Sequence, residues 1–104
     1  MAKAALLFSF KAGQGRLLME MVVWQLPGRS ADRLHGLKYR LYLGRDGRNL
    51  VRYDNEAGKG DHKHTGEDEV EESYRFTTLE RLLEDFRIDA ERHGWRWEIG
   101  RAHV

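Results

Sequence analysis

Apolar and polar positions along the chain divide it into short extended runs followed by one helical stripe. Lys3 to Lys11 centres on "AALLFSF" and predicts a first strand, which ends in the glycine-punctuated turn "KAGQG". Arg16 to Leu26, "RLLMEMVVWQL", is too apolar for simple alternation and predicts a central strand covered on both faces. It stops at Pro27-Gly28, and residues 28–36 read as a loop.

The clearest signal is "LKYRLYLGRDGRNLVRYD", Leu37 to Asp54, two alternating runs about Arg45-Asp46-Gly47. A three-residue hairpin loop there sets Leu41 opposite Val51 and Tyr39 opposite Tyr53 on an apolar face. The other face then carries Lys38, Arg40, Tyr42, Leu50 and Arg52. In that register Arg40 and Arg52 sit directly across from each other, a like-charge conflict that a phosphate or a carboxylate would relieve.

Residues 67–72, "EDEVEE", read as an acidic connector, either an exposed loop or the start of a last strand ending in "SYRF". Thr77 and Glu80 then fit a capping box, and Leu79, Leu82, Leu83, Phe86 and Ala90 form one helical stripe closed by Gly94. "WRWEI" alternates again, as a short edge strand or as a flap laying its tryptophans on the helix. The expected fold is α+β: an antiparallel sheet of about four or five strands with one long C-terminal helix packed on one face. Residues 1–104 are expected to make a single domain, with 95–104 as an extra edge strand or tail.

Charge adds an asymmetry to this outline. Residues 1–64 hold 12 Lys and Arg against 6 Asp and Glu, whereas residues 65–104 hold 6 against 11. A basic half points either to a polyanionic partner or to an acidic segment folding back upon it. The absence of cysteine removes disulfides and thiolate metal sites, and suits a reducing compartment, so a cytoplasmic protein is expected. "AALLFSF" is too short to span a membrane, and no membrane partner is expected.

Chemistry concentrates in "VRYDNEAGKGDHKH", Val51 to His64, where Lys59, Asp61, His62, Lys63 and His64 follow a flexible Gly58–Gly60 segment. If residues 61–64 are extended, His62 and His64 point the same way. Three readings are open. The loop could carry metal-free RNA cleavage, with histidines moving protons and Lys59, Lys63, Arg40 and Arg52 on the phosphate. Asp61, His62 and His64 could instead hold a metal, although no H-E-x-x-H or cysteine pattern supports that. It could also be a solvated surface loop. Among the other histidines, His35 and His103 read as surface residues, and His93 as a complement to the helix dipole. Glu20, inside an apolar strand, reads as one half of a structural ion pair. Nucleotide-binding glycine loops and the serine-hydrolase elbow are absent.

"KYRLYLGRDGRNLVRYDNEAGKGDHKH" followed by "YRFTTLERLLEDF" resembles the TumE-like family, toxin components of bacterial type II toxin–antitoxin pairs. The resemblance covers Leu17 to Arg92, and its most specific part is Tyr53, Asp54, Asn55, Lys59, Gly60, Asp61, His62 and His64. It implies a growth-inhibiting toxin acting as an endoribonuclease on an RNA substrate, neutralised by a cognate antitoxin with a helix-turn-helix DNA-binding part. It favours the functional reading of the loop. The catalytic candidates are then His62, His64, Lys59 and Asp61, and the RNA-binding candidates are Arg40, Arg52, Lys38, Tyr42 and Lys63. Tyr42 is the better stacking surface for an unpaired base, because Tyr53 falls on the core face. No metal or cofactor is expected, and a homodimer is left open. The alternative is a binding module that occupies RNA, the ribosome or a protein without cleaving anything.

Overall fold

Short turns between successive extended segments leave each strand next to its predecessor, and the sheet is accordingly a plain meander. The computed structural model describes residues 3–31, 33–56 and 58–97. Six antiparallel strands run in the order β1 (Ala5–Gln14), β2 (Leu17–Gln25), β3 (Leu37–Arg45), β4 (Arg48–Asp54), β5 (His62–Thr65) and β6 (Val70–Ser73), followed by helix α1 (Leu79–Arg92). The α+β class, the antiparallel sheet and the single C-terminal helix are as expected, with strands slightly more numerous. The acidic connector supplies the added strand: its second half becomes β6, and the histidine segment becomes β5.

One face of the sheet carries the core. Met19, Val23, Leu41, Leu43, Val51 and Tyr53 are buried there beneath Leu82, Phe86 and Ala90 of the helix and Trp95 beyond it. Period-two alternation sends every other residue of the same strands to the opposite face, which no helix among the described residues covers. This corrects the expectation that β2 is covered on both sides. Its inward residues Leu17, Met19 and Val23 are buried, while Leu18 keeps 38% of its surface exposed. One helix can shield only one side of a six-stranded meander.

The β3–β4 hairpin differs from the expected one by two residues. Asp46 and Gly47 both take positive φ, 53° and 79°, so they close a two-residue turn with Arg45 paired to Arg48. A bulge between Leu43 and Gly44 then aligns Leu43 with Val51 and Leu41 with Tyr53. A shift of two leaves each side chain on its expected face but changes its partner. Arg40 now faces Asp54, and Arg52 faces Tyr42, so the predicted arginine clash does not arise. Arg16 also bonds both oxygens of Asp46 and thereby ties the β1–β2 turn to the β3–β4 turn.

Helix α1 begins one residue later than its capping signal suggested. Thr78, not Thr77, accepts the Arg81 amide at 3.0 Å, which puts an arginine where the reciprocal carboxylate of a capping box would stand. Gly94 stops the helix with φ of 97°. Trp95–Trp97 form no strand; the two indoles meet edge-on at 5.8 Å, and the Gln14 side chain holds the Arg96 backbone from both sides. The remainder of "WRWEI" and His103 lie outside the described residues.

The helix is locked to the sheet by a buried carboxylate. Asp89, 8% exposed, accepts from the Tyr53 hydroxyl at 2.5 Å and faces the Lys63 ammonium at 2.8 Å. Burial and the Asp89 hydrogen bond together push the Tyr53 hydroxyl far above the usual phenol range. Removing Asp89 strands a mostly buried ammonium. Asp89→Ala should therefore cost about 3 kcal/mol of stability in urea unfolding, and an unchanged midpoint would show that the lock is dispensable.

Candidate active site

Alternation along the last three strands decides which of the loop's side chains meet. Arg52 and Asp54 of β4, His62 and His64 of β5, and Glu71 of β6 all project from the uncovered face. The register places Arg52 beside His64 and His64 beside Glu71, with Asp54 beside His62 in the next row. The two imidazole centroids are 6.4 Å apart. Glu71 lies between them, with its oxygens 3.5 Å from His62 Nε2 and 3.8 Å from His64 Nε2. Asp54 approaches His64 Nε2 at 3.7 Å.

Hydrogen bonds distinguish the two rings. His62 Nδ1 donates to the Gly60 carbonyl at 3.1 Å, so in the neutral ring Nε2 carries the lone pair. His64 Nε2 lies 3.7 Å from Asp54 and 3.8 Å from Glu71, and His62 Nε2 lies 3.5 Å from Glu71, so both rings turn Nε2 toward carboxylates. The Gly60 carbonyl fixes the orientation of the His62 ring.

Cations flank this pair, but the strongest is already engaged. Arg52 donates to Asp54 at 2.8 Å and to Glu69 at 2.6 Å. Burial pulls its guanidinium down, yet those two carboxylates outweigh burial and hold it above its usual value. Glu69 reaches it from the tight β5–β6 turn, where its own φ is 51°. Of the two ways to relieve a basic hairpin face, the carboxylate of the acidic segment is the one realised at Arg52. Across β3 and β2 the pairing is looser. Arg40 lies 5.0 Å from the Tyr42 ring centre and 3.7 Å from Glu20, which also faces Lys11 at 3.5 Å. Glu20 is thus the ion-pair partner expected of a carboxylate in that strand. Lys38 is exposed on the same face.

Three sequence-predicted site residues do not join the histidines. Lys63, alternate to them in β5, points to the helix side, where it meets Asp89 and the Tyr53 ring instead of a phosphate. Asp61 accepts from the Tyr39 hydroxyl at 2.6 Å and from His35 Nε2 at 3.0 Å. Because Tyr39 belongs to the core face, the metal triad of Asp61, His62 and His64 is not assembled. Among the described residues, no three His, Cys, Asp or Glu side chains gather as metal ligands. Lys59 is exposed in the β4–β5 loop, with Glu56 at 3.8 Å.

Other residues were missed. His35 is no surface residue: it is largely buried, accepts the Leu37 amide on Nδ1 and stacks on Phe76 at 3.9 Å. Nothing in its loop sequence signals that. Asn55, 1% exposed, accepts the Tyr39 amide at 3.0 Å and donates to the Leu37 carbonyl at 2.8 Å, continuing the β3–β4 ladder with a side chain. Asp54, Glu69 and Glu71 could have been found by carrying the alternation of Arg52 across two more strands.

No helix of the described residues is long and apolar enough to cross a membrane. No curated protein and no solved structure gives a significant match to the chain. The model of the family described as Toxin TumE matches residues 5–93, which span all six strands and the helix. The chain therefore belongs to the TumE toxin family, with the toxin role and the cognate antitoxin partner that membership implies.

Proposed function

We propose that this toxin is an RNA-cleaving endoribonuclease whose proton transfers are made by His62 and His64. What supports the reading is the pair of imidazoles 6.4 Å apart on the sheet face turned away from the helix, with Glu71 between their Nε2 atoms. In the reaction, His62 Nε2 takes the proton of a ribose 2′-hydroxyl as its oxygen attacks the adjacent phosphorus. The bond from phosphorus to the 5′-oxygen breaks, and that oxygen takes its proton from His64 Nε2. The products are a 2′,3′-cyclic phosphate and a 5′-hydroxyl end.

Charge on the phosphorane is met by Arg52, backed by Arg40 and Lys38 on the next strand. Arg52 reaches the phosphate by exchanging one carboxylate, and Glu69, the more exposed of its two partners, is the one to yield. Asp61 and Lys63 hold the loop and helix and have no part in the chemistry. The antitoxin, with a helix-turn-helix part for DNA, would silence the enzyme by covering this face.

Two outcomes are expected with labelled single-stranded RNA. His62→Ala and His64→Ala each lower the cleavage rate by about 10²–10⁴-fold while melting like the parent; wild-type cleavage in a folded double variant would remove the histidines from the mechanism. Cleavage by the parent persists in EDTA and leaves cyclic phosphate ends, whereas loss with EDTA would move the chemistry to a metal. RNA binding that survives the double variant, with no cleavage by the parent, would make the chain a binding module.

A further inference from the structure

Tyr42 does not stand up from the sheet. A Cβ built on Gly44, two residues along the same face, would lie 1.9 Å from the Tyr42 hydroxyl oxygen and 2.5 Å from Cζ. The ring is thus laid down along β3 over a glycine whose missing side chain makes its bed, and Gly44 is buried although it belongs to the uncovered face. The next residue on the other side is Arg40, whose guanidinium lies 5.0 Å from the ring centre. Its one ion pair among the described residues is the 3.7 Å contact with Glu20, and it remains 47% exposed. A planar, loosely held cation therefore lies over a flat aromatic ring, and the pair is presented on an open surface.

From this geometry we infer a subsite for one unpaired nucleobase, formed by Tyr42 and Arg40 and depending on Gly44. It rests on the RNA-directed reading above and narrows it to single strands. A base offers a π face that stacks on tyrosine and on guanidinium alike, without regard to its hydrogen-bonding edge. A duplex hides that face in its own stack, so the subsite selects for single strands with little preference among bases. Tyr42 faces Arg52, and Arg52 faces His64, in one cross-strand row. Two strand spacings separate the subsite from the histidines by about 10 Å, the reach of a nucleotide flanking the scissile phosphate. Lys11 and Lys38 lie on the same face for that nucleotide's phosphates.

The test is the affinity of a fluorescein-labelled single-stranded RNA decamer, of the same decamer in duplex form and of an abasic strand of equal charge. Binding is measured in the His62→Ala/His64→Ala background, so that cleavage plays no part. Tyr42→Ala should weaken the single strand by about ten-fold or more and leave the abasic strand unchanged, while Tyr42→Phe stays within about two-fold of the parent. Gly44→Ala, which tips the ring off its bed, should imitate Tyr42→Ala; Tyr42→Leu, which still covers Gly44, does the same if either alanine variant melts early. Equal loss on the abasic strand, or none on the RNA, overturns the subsite. Cleavage is scored separately: a parent that binds through Tyr42 without cutting RNA keeps the subsite and removes the nuclease, and a parent that cuts RNA with Tyr42 irrelevant does the reverse.

Discussion

The contact among Asp89, Lys63 and Tyr53 sets the sidedness of the molecule. A carboxylate on the helix takes its partners from two adjacent strands, so helix, β4 and β5 are locked in a single register. Lys63 can reach Asp89 only if β5 turns that side chain to the helix, and alternation then obliges His62 and His64 to face away. A slip of one residue would turn both imidazoles to the helix side and the lysine away from Asp89. The core contact and the candidate site are thus two consequences of one parity.

The uncovered face is a self-neutralised surface more than a basic one. The excess cations of the first half of the chain meet carboxylates from the second, with Arg52 on Glu69 and Arg48 on Glu67. The tip of the β5–β6 hairpin supplies those acidic groups. The Arg48–Glu67 pair is exposed enough to be weak and sensitive to salt, whereas Arg52 and Asp54 are mostly buried.

Much of this was legible in the sequence because periodicity is a local property. The α+β class, the hairpin at Asp46-Gly47, the helix stripe and the common direction of His62 and His64 all follow from residues close in the chain. Register was harder, since a bulge at Leu43/Gly44 leaves no local mark. The fate of Arg40 and Arg52 depended on it. Partners of loop residues were hardest: Asp61 is held by Tyr39 and His35, distant in sequence, and only the folded sheet brings them together. The family motif likewise mixes two kinds of residue. Tyr53, Asn55 and Asp61 serve the fold, whereas Asp54, His62 and His64 converge on the open face.

The histidines ride on the shortest part of the sheet. Strands β5 and β6 are four residues each, β6 is exposed along its whole length, and it forms the sheet's outer edge. Opening of such an edge is a local event that leaves the core intact and costs far less than global unfolding. When β6 peels back, Glu71 departs, while β4 keeps Arg52 and Asp54 in place. The rings then lose their carboxylate without losing their strand. The carboxylate between the rings is thus held by the sheet's most weakly anchored strand, and the cation and Asp54 by a more deeply packed one.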